Sequence, residues 1–190
     1  MPFRKNESSR NQEVPFLKED RLPYFANICA AAETRYNKNP RDTKNLSQWG
    51  EALIGLAVLM NNIEPQQLLL RDAIKKLNEA LSINDKVTDT HFVLGLAYHK
   101  YAILTKEYDK ALPCYQSAHY SFTIAHNQDW HNEVYSEWMR SCHPCRSTHE
   151  SWHDIRLRIM TGRPIIPTSD EEPMCMMDKI GWLLQWLCLL

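Results

Sequence analysis

Asn45-Leu46-Ser47-Gln48-Trp49-Gly50-Glu51-Ala52-Leu53 is echoed forty-five residues later by Thr90-His91-Phe92-Val93-Leu94-Gly95-Leu96-Ala97-Tyr98. The same offset pairs Ala57 with Ala102, Leu59 with Leu104, Ala73 with Ala118, Leu77 with Phe122 and Ala80 with Ala125. Small residues recur where two helices must approach closely, and large apolar ones where a core must be filled, so the period is one of structure and not of composition. Repeated helix pairs form a scaffold that presents a surface, which makes binding the first function to consider.

Outside the repeat, the first flanking helix spans about Leu22 to Asn37, with Phe25, Ile28, Cys29, Ala32 and Tyr36 at helical spacing and Asn39-Pro40 stopping it. Asn45 or Thr43 caps the first helix of copy one, which Asn61-Asn62 and Glu64-Pro65 end. Its partner runs from about Gln67 to Ile83, with Leu70, Ile74, Leu77 and Leu81 on one stripe. Copy two places a helix around Phe92 to Ile103, a loop near Thr105 to Asp109, and a helix from Leu112 to Ala125 with Pro113 in its opening turn. Trp130 to Cys142 forms a further helix whose Trp130, Val134, Tyr135 and Trp138 are placed to cover the end of the array.

The 190 residues suit one domain plus tails, since a core of two helix pairs with flanking helices needs roughly 100 to 150 residues. Residues 1–20 form a polar arm that buries no face, 21–142 the repeat domain, 143–177 a linker, and 178–190 a short apolar segment. Arg4, Lys5 and Arg10 are interrupted by Glu7 and Glu13, and no apolar stretch of signal-peptide length follows them. A net charge of −1 gives no support for a nucleic-acid partner. With five glycines and no glycine-rich phosphate loop, a nucleotide cofactor has no support either. Six cysteines scattered through helical patterns behind no secretory signal favour reduced thiols.

Two chemical sites deserve weighing. Cys142-His143-Pro144-Cys145 with His149 and His153 offers ligand-like pairs, but only three residues separate Cys145 from His149, too few for a zinc-finger loop, so a linker without metal is preferred. No Cys–His pair stands in a nucleophile setting, and no enzyme activity or cofactor is expected.

The tetratricopeptide signature sets a large residue, Leu-Gly and an aromatic on one helix and Ala, Phe, Ala on the next. Leu46-Trp49-Gly50-Leu53 with Ala73-Leu77-Ala80 makes one copy, and His91-Leu94-Gly95-Tyr98 with Ala118-Phe122-Ala125 the other. Each copy exceeds the usual thirty-four residues by about eleven, an excess expected to lengthen the first helix and its connecting loop. The expected fold is an all-α, tetratricopeptide-like array of two elongated helix pairs with flanking capping helices.

Two elongated copies behind a capping helix, with Tyr36-Asn37-Lys38-Asn39-Pro40-Arg41-Asp42 leading into Asn45-Leu46-Ser47-Gln48-Trp49-Gly50, resemble the plant-type Tom20 family of mitochondrial import receptors. Glu51-Ala52-Leu53, Asp72-Ala73-Ile74, Glu79-Ala80-Leu81-Ser82-Ile83 and Leu94-Gly95-Leu96-Ala97-Tyr98 extend the likeness, which covers roughly Arg21 to Cys142. The resemblance implies a receptor on the outer mitochondrial membrane, its helical domain facing the cytosol. Its partners would be the presequence helices of precursor proteins, which it passes to the pore, and the other translocase subunits. It also implies a carboxy-terminal membrane helix. Asp178-Lys179-Ile180-Gly181-Trp182 resembles its start, but Ile180 to Leu190 is about half the roughly 20 residues that span a bilayer.

A presequence is a basic helix with one apolar face, so its receptor needs a shallow apolar groove flanked by acids. In tetratricopeptide geometry the first helix of each pair lines the concave face. That nominates Ser47, Glu51 and Ile54 from copy one and Phe92, Leu96 and His99 from copy two, with Ile54, Phe92 and Leu96 as apolar contacts and Glu51 and Asp89 as acidic partners. The same spacing equally fits ordinary core residues. Two other readings compete: a soluble adaptor or co-chaperone clamping an acidic peptide tail, and a degenerate receptor copy without an anchor.

Overall fold

The computed structural model describes residues 18–142, 144 and 146–161. Among them the chain is all helical: α1 (Lys18–Lys38), α2 (Thr43–Leu59), α3 (Ile63–Ile83), α4 (Thr88–Leu104), α5 (Tyr108–Gln128), α6 (Glu133–Ser141) and α7 (Arg146–Thr161). Every boundary of the pair α4/α5 lies forty-five residues after its counterpart in α2/α3. The expected all-α, tetratricopeptide-like array is the observed one. Each helix from α1 to α5 packs on the next in chain order.

The repeat is held by close approach at two glycines. A Cβ on Gly50 would lie 2.5 Å from the Leu77 side chain, and one on Gly95 would lie 2.6 Å from the Phe122 ring. Ala73, Leu77, Ala80, Ala118, Phe122 and Ala125 are all buried, so small and large residues interlock identically in both copies. The copies are joined by apolar contact of Leu53, Ile54 and Leu70 with Leu94 and Ala97. Polar ties accompany it: Gln67 donates from Nε2 to the Leu104 carbonyl at 3.3 Å, and Asn78 from Nδ2 to Tyr98 Oη at 3.4 Å.

The extra length of each copy enters the helices rather than a loop, because three residues (60–62 and 105–107) suffice to reverse the chain. The second helix of each pair is the longer, 21 residues against 17. Pro65 accordingly falls in the first turn of α3, where its missing N–H has no intrahelical partner to lose. Pro113, expected in an opening turn, lies in the second turn of α5, which begins as early as Tyr108. The cap of α2 is Asp42, whose carboxylate accepts from the Asn45 N–H at 3.0 Å. Asn45 itself is buried and donates from Nδ2 to the Ala32 carbonyl at 2.9 Å, tying α1 to α2.

At the open side of copy one, Lys76 sits over the Tyr36 and Trp49 rings, 3.8 and 4.6 Å from their centroids, and pairs with Glu79 at 3.1 Å. At the far end, α6 is shorter than expected. Tyr135 and Trp138 cover the array, whereas Trp130, ahead of the helix start at Glu133, and Val134, inside the helix, stay exposed. Residues 1–17 of the expected arm lie outside the described residues, and α1 already begins at Lys18. Within the expected linker 143–177, residues 146–161 form α7, and the segment 178–190 lies outside the described residues. No described helix is long and apolar enough to cross a membrane.

Candidate functional site

Helices α2 and α4, the first of each pair, lie side by side. Ser47 gives its hydroxyl proton to the Thr43 carbonyl, so Thr90 donates to Ser47 Oγ, at 2.7 Å, across the seam between them. On either side of that hydrogen bond stand two exposed acids, Glu51 on α2 and Asp89 on α4. Crowding by surrounding protein raises the Glu51 carboxyl above its ordinary range, and the nearby charge of Asp89 raises it further. Two carboxylates that repel each other make a surface poised to gain from an incoming cation.

Asp89 is held in place by α6: Tyr135 donates its hydroxyl to Oδ1 at 2.7 Å, and burial together with that carboxylate pushes the phenol up to about 12. Tyr135 also brings α6 onto Phe92, ring to ring at 4.7 Å, while Phe122 and Trp138 approach the same ring at 5.5 and 6.4 Å. Phe92 is therefore half-buried beneath α6, and Leu96 is half-buried near Trp138 and Met139.

The nominated residues thus separate by depth. Glu51 and Asp89 share an exposed patch, and Phe92 and Leu96 form its half-buried apolar edge. Ile54 and His99 lie inside. Ile54 is 5 % exposed and packs in the main core between the copies. His99 is fully buried among Tyr115 and Trp138, whose ring centroids are 5.7 and 5.4 Å away, and burial lowers its pKa to about 3, so the ring is neutral. Both point toward the next first-type helix, α4 for Ile54 and α6 for His99.

The cysteine–histidine cluster resolves into packing. His149 is fully buried; Tyr115 donates to its Nδ1 at 2.9 Å, and its Nε2–H donates to the Lys106 carbonyl at 3.2 Å, so both ring nitrogens are engaged by protein. Cys142 Sγ lies 3.7 Å from His119 Nδ1, and burial pushes its thiol up to about 11, away from reactive thiolate. Cys145 lies outside the described residues, among which no three His, Cys, Asp or Glu side chains converge as a metal would require.

The sequence places Tyr135 and Trp138 over the end of the array but does not single out Phe92 as what they cover, and sequence reasoning missed the docking of α7. That docking was readable: His149, Trp152, His153 and Arg156 follow the i, i+3, i+4, i+7 spacing of a helix face.

The architecture defines an all-α, tetratricopeptide-like array that displays paired acids on its first-type helices. Over residues 19–176 the sequence matches the family described as plant specific mitochondrial import receptor subunit TOM20. It is 35% identical over 143 residues to mitochondrial import receptor subunit TOM20-1 of Arabidopsis thaliana, covering 75% of this chain and 76% of that one. To subunit TOM20-4 of the same plant it is 33% identical over 118 residues, 62% of each chain. The chain belongs to this plant-specific import receptor family.

Proposed function

We propose that this import receptor binds the basic, amphipathic presequence helices of mitochondrial precursors across α2 and α4 and passes them to the pore of the outer-membrane translocase, working with its other subunits. The observation that carries the proposal is the exposed Glu51–Asp89 pair beside the apolar edge of Phe92 and Leu96. A ligand helix with Lys or Arg along one side and leucine-type anchors along the other would relieve the repulsion of the acids while covering the apolar edge. The same pair opposes the clamping of an acidic peptide tail, because a carboxylate arriving there would meet two like charges.

The receptor unit is residues 21–142, oriented toward the cytosol from the outer membrane, with the apolar segment 178–190 as its membrane contact. Alkaline extraction of mitochondria carrying the chain with and without residues 174–190 tests attachment; equal release of both sinks it. For binding, titration with a fluorescent presequence peptide should saturate, weaken about tenfold in the double variant Glu51→Lys/Asp89→Lys, and weaken with salt. Affinity unchanged by that double reversal would defeat the assignment of the surface.

A further inference from the structure

Helix α7 is an arginine-bearing helix already packed on this chain beside the assigned receptor surface. Its sequence holds three arginines (Arg146, Arg156 and Arg158) with Glu150 and Asp154, and among its half-buried or buried residues His149, Trp152, His153 and Arg156 fall on one face. That face lies on copy two and reaches copy one at Gln66. Arg146 makes a bidentate pair with Asp109 at the start of α5, and His149 sits against Tyr115 and Tyr108. His153 faces the carbonyls of Ile103 and Thr105 at the end of α4, and Arg156 donates from Nη2 to Gln66 Oε1, in the first turn of α3, at 3.0 Å.

The crossing borders the candidate surface. Asp89, Val93, Leu96 and Lys100 recur at helical spacing along one side of α4, and exposure falls along them from an open Asp89 to a Lys100 only 7 % exposed. Seven residues from Leu96 to Ile103 are about 10 Å of helix, the width of a single helix with its side chains. A ligand helix laid on Leu96 and extending one turn toward the ends of α2 and α4 therefore meets α7.

The docking is also imperfect. Trp152 Nε1 is buried with no hydrogen-bond partner among the described residues. An interface that strands a buried donor is one that a better-matched helix displaces. Resting on the presequence-receptor reading above, we propose that α7 is an in-cis strap at the edge of the receptor face, one that shortens the groove until an incoming basic amphipathic helix drives it off.

The test uses the full chain, a fluorescent presequence peptide, and the variant Arg146→Glu/Arg156→Glu, in which the strap meets Asp109 with like charge and loses Gln66. Urea midpoints of both chains check that the array stays folded. The proposal expects the variant to bind peptide about five- to tenfold tighter, since an equilibrium closed by the strap lowers apparent affinity by the open fraction. It also expects peptide to speed amide hydrogen exchange in residues 146–161 of the wild-type chain. Equal or weaker binding by the variant, or slowed exchange in α7, overturns it and makes α7 a wall of the groove instead. Absence of saturable binding by either chain overturns the receptor reading and this proposal with it.

Discussion

The two helix pairs share every boundary and differ in what they show to the outside. Where copy one has Ser47, Glu51 and Ile54, copy two has Phe92, Leu96 and His99 at the same register. The frame tolerates this because it rests elsewhere, on Gly50 against Leu77 and Gly95 against Phe122. The positions free of that contact answer to their neighbours. Copy one faces α4, and its seam is completed by a hydroxyl pair and an aliphatic core residue; copy two faces α6, whose Tyr135 and Trp138 demand aromatic partners. A repeat therefore fixes the spacing of helices while leaving each face to be specialised.

The largest expected effect lies at the glycines. Gly95→Ala pushes a methyl into the Phe122 ring and Gly50→Ala pushes one onto the branch carbon of a fully buried Leu77, and each should cost about 1–3 kcal/mol in urea unfolding. A loss below that range at one glycine alone would mean that the frame of that copy yields where the other does not.

Acid sensitivity should divide the copies next. His99 is held neutral in the fold down to about pH 3, yet a histidine's ordinary pKa of 6.5 means that it takes a proton in the unfolded chain below that pH. Stability should therefore fall as the pH drops from 6.5 toward 3, by about 1.4 kcal/mol per pH unit at most from this ring. His99→Leu, which makes copy two resemble Ile54 of copy one, should lessen the slope of unfolding free energy between pH 6.5 and 4.5. An unchanged slope would place the acid sensitivity elsewhere.

The smallest effect concerns the hydrogen bond that steadies the acidic patch. Tyr135→Phe removes the donor to Asp89 while leaving the ring stacked on Phe92, and should cost about 0.5–1.5 kcal/mol of stability. A larger loss would show that α6 is held chiefly by that hydroxyl and not by its aromatic packing.

Much of the architecture was legible beforehand. The period, the interlocking glycines and the amphipathic stripes identified both pairs, because these signals are local in sequence or recur at a fixed distance. Asp42 escaped notice as a cap since neighbouring Thr43 and Asn45 are also good cap residues. Of the surface, Glu51 and Asp89 were readable because acids seldom go inside without partners. Ile54 and His99 were not, because helical spacing says which residues share a side but not which helix will cover that side. At the junction of repeat domain and linker, Cys142 and His149 have ligand-like spacing, yet the engagement of His149 by Tyr115, thirty-four positions earlier, turns on contacts remote in the chain.

The sequence by itself determined no partner surface, but it did determine two helix pairs in one register, since side-chain size at each repeated position allows only one close approach. The tertiary structure alone decided that α6 roofs Phe92, that His99 loses all contact with water, and that α7 docks on copy two and touches copy one at Gln66. Those outcomes depend on helices far apart in the chain competing for the same faces, and no periodicity within a single helix encodes the winner.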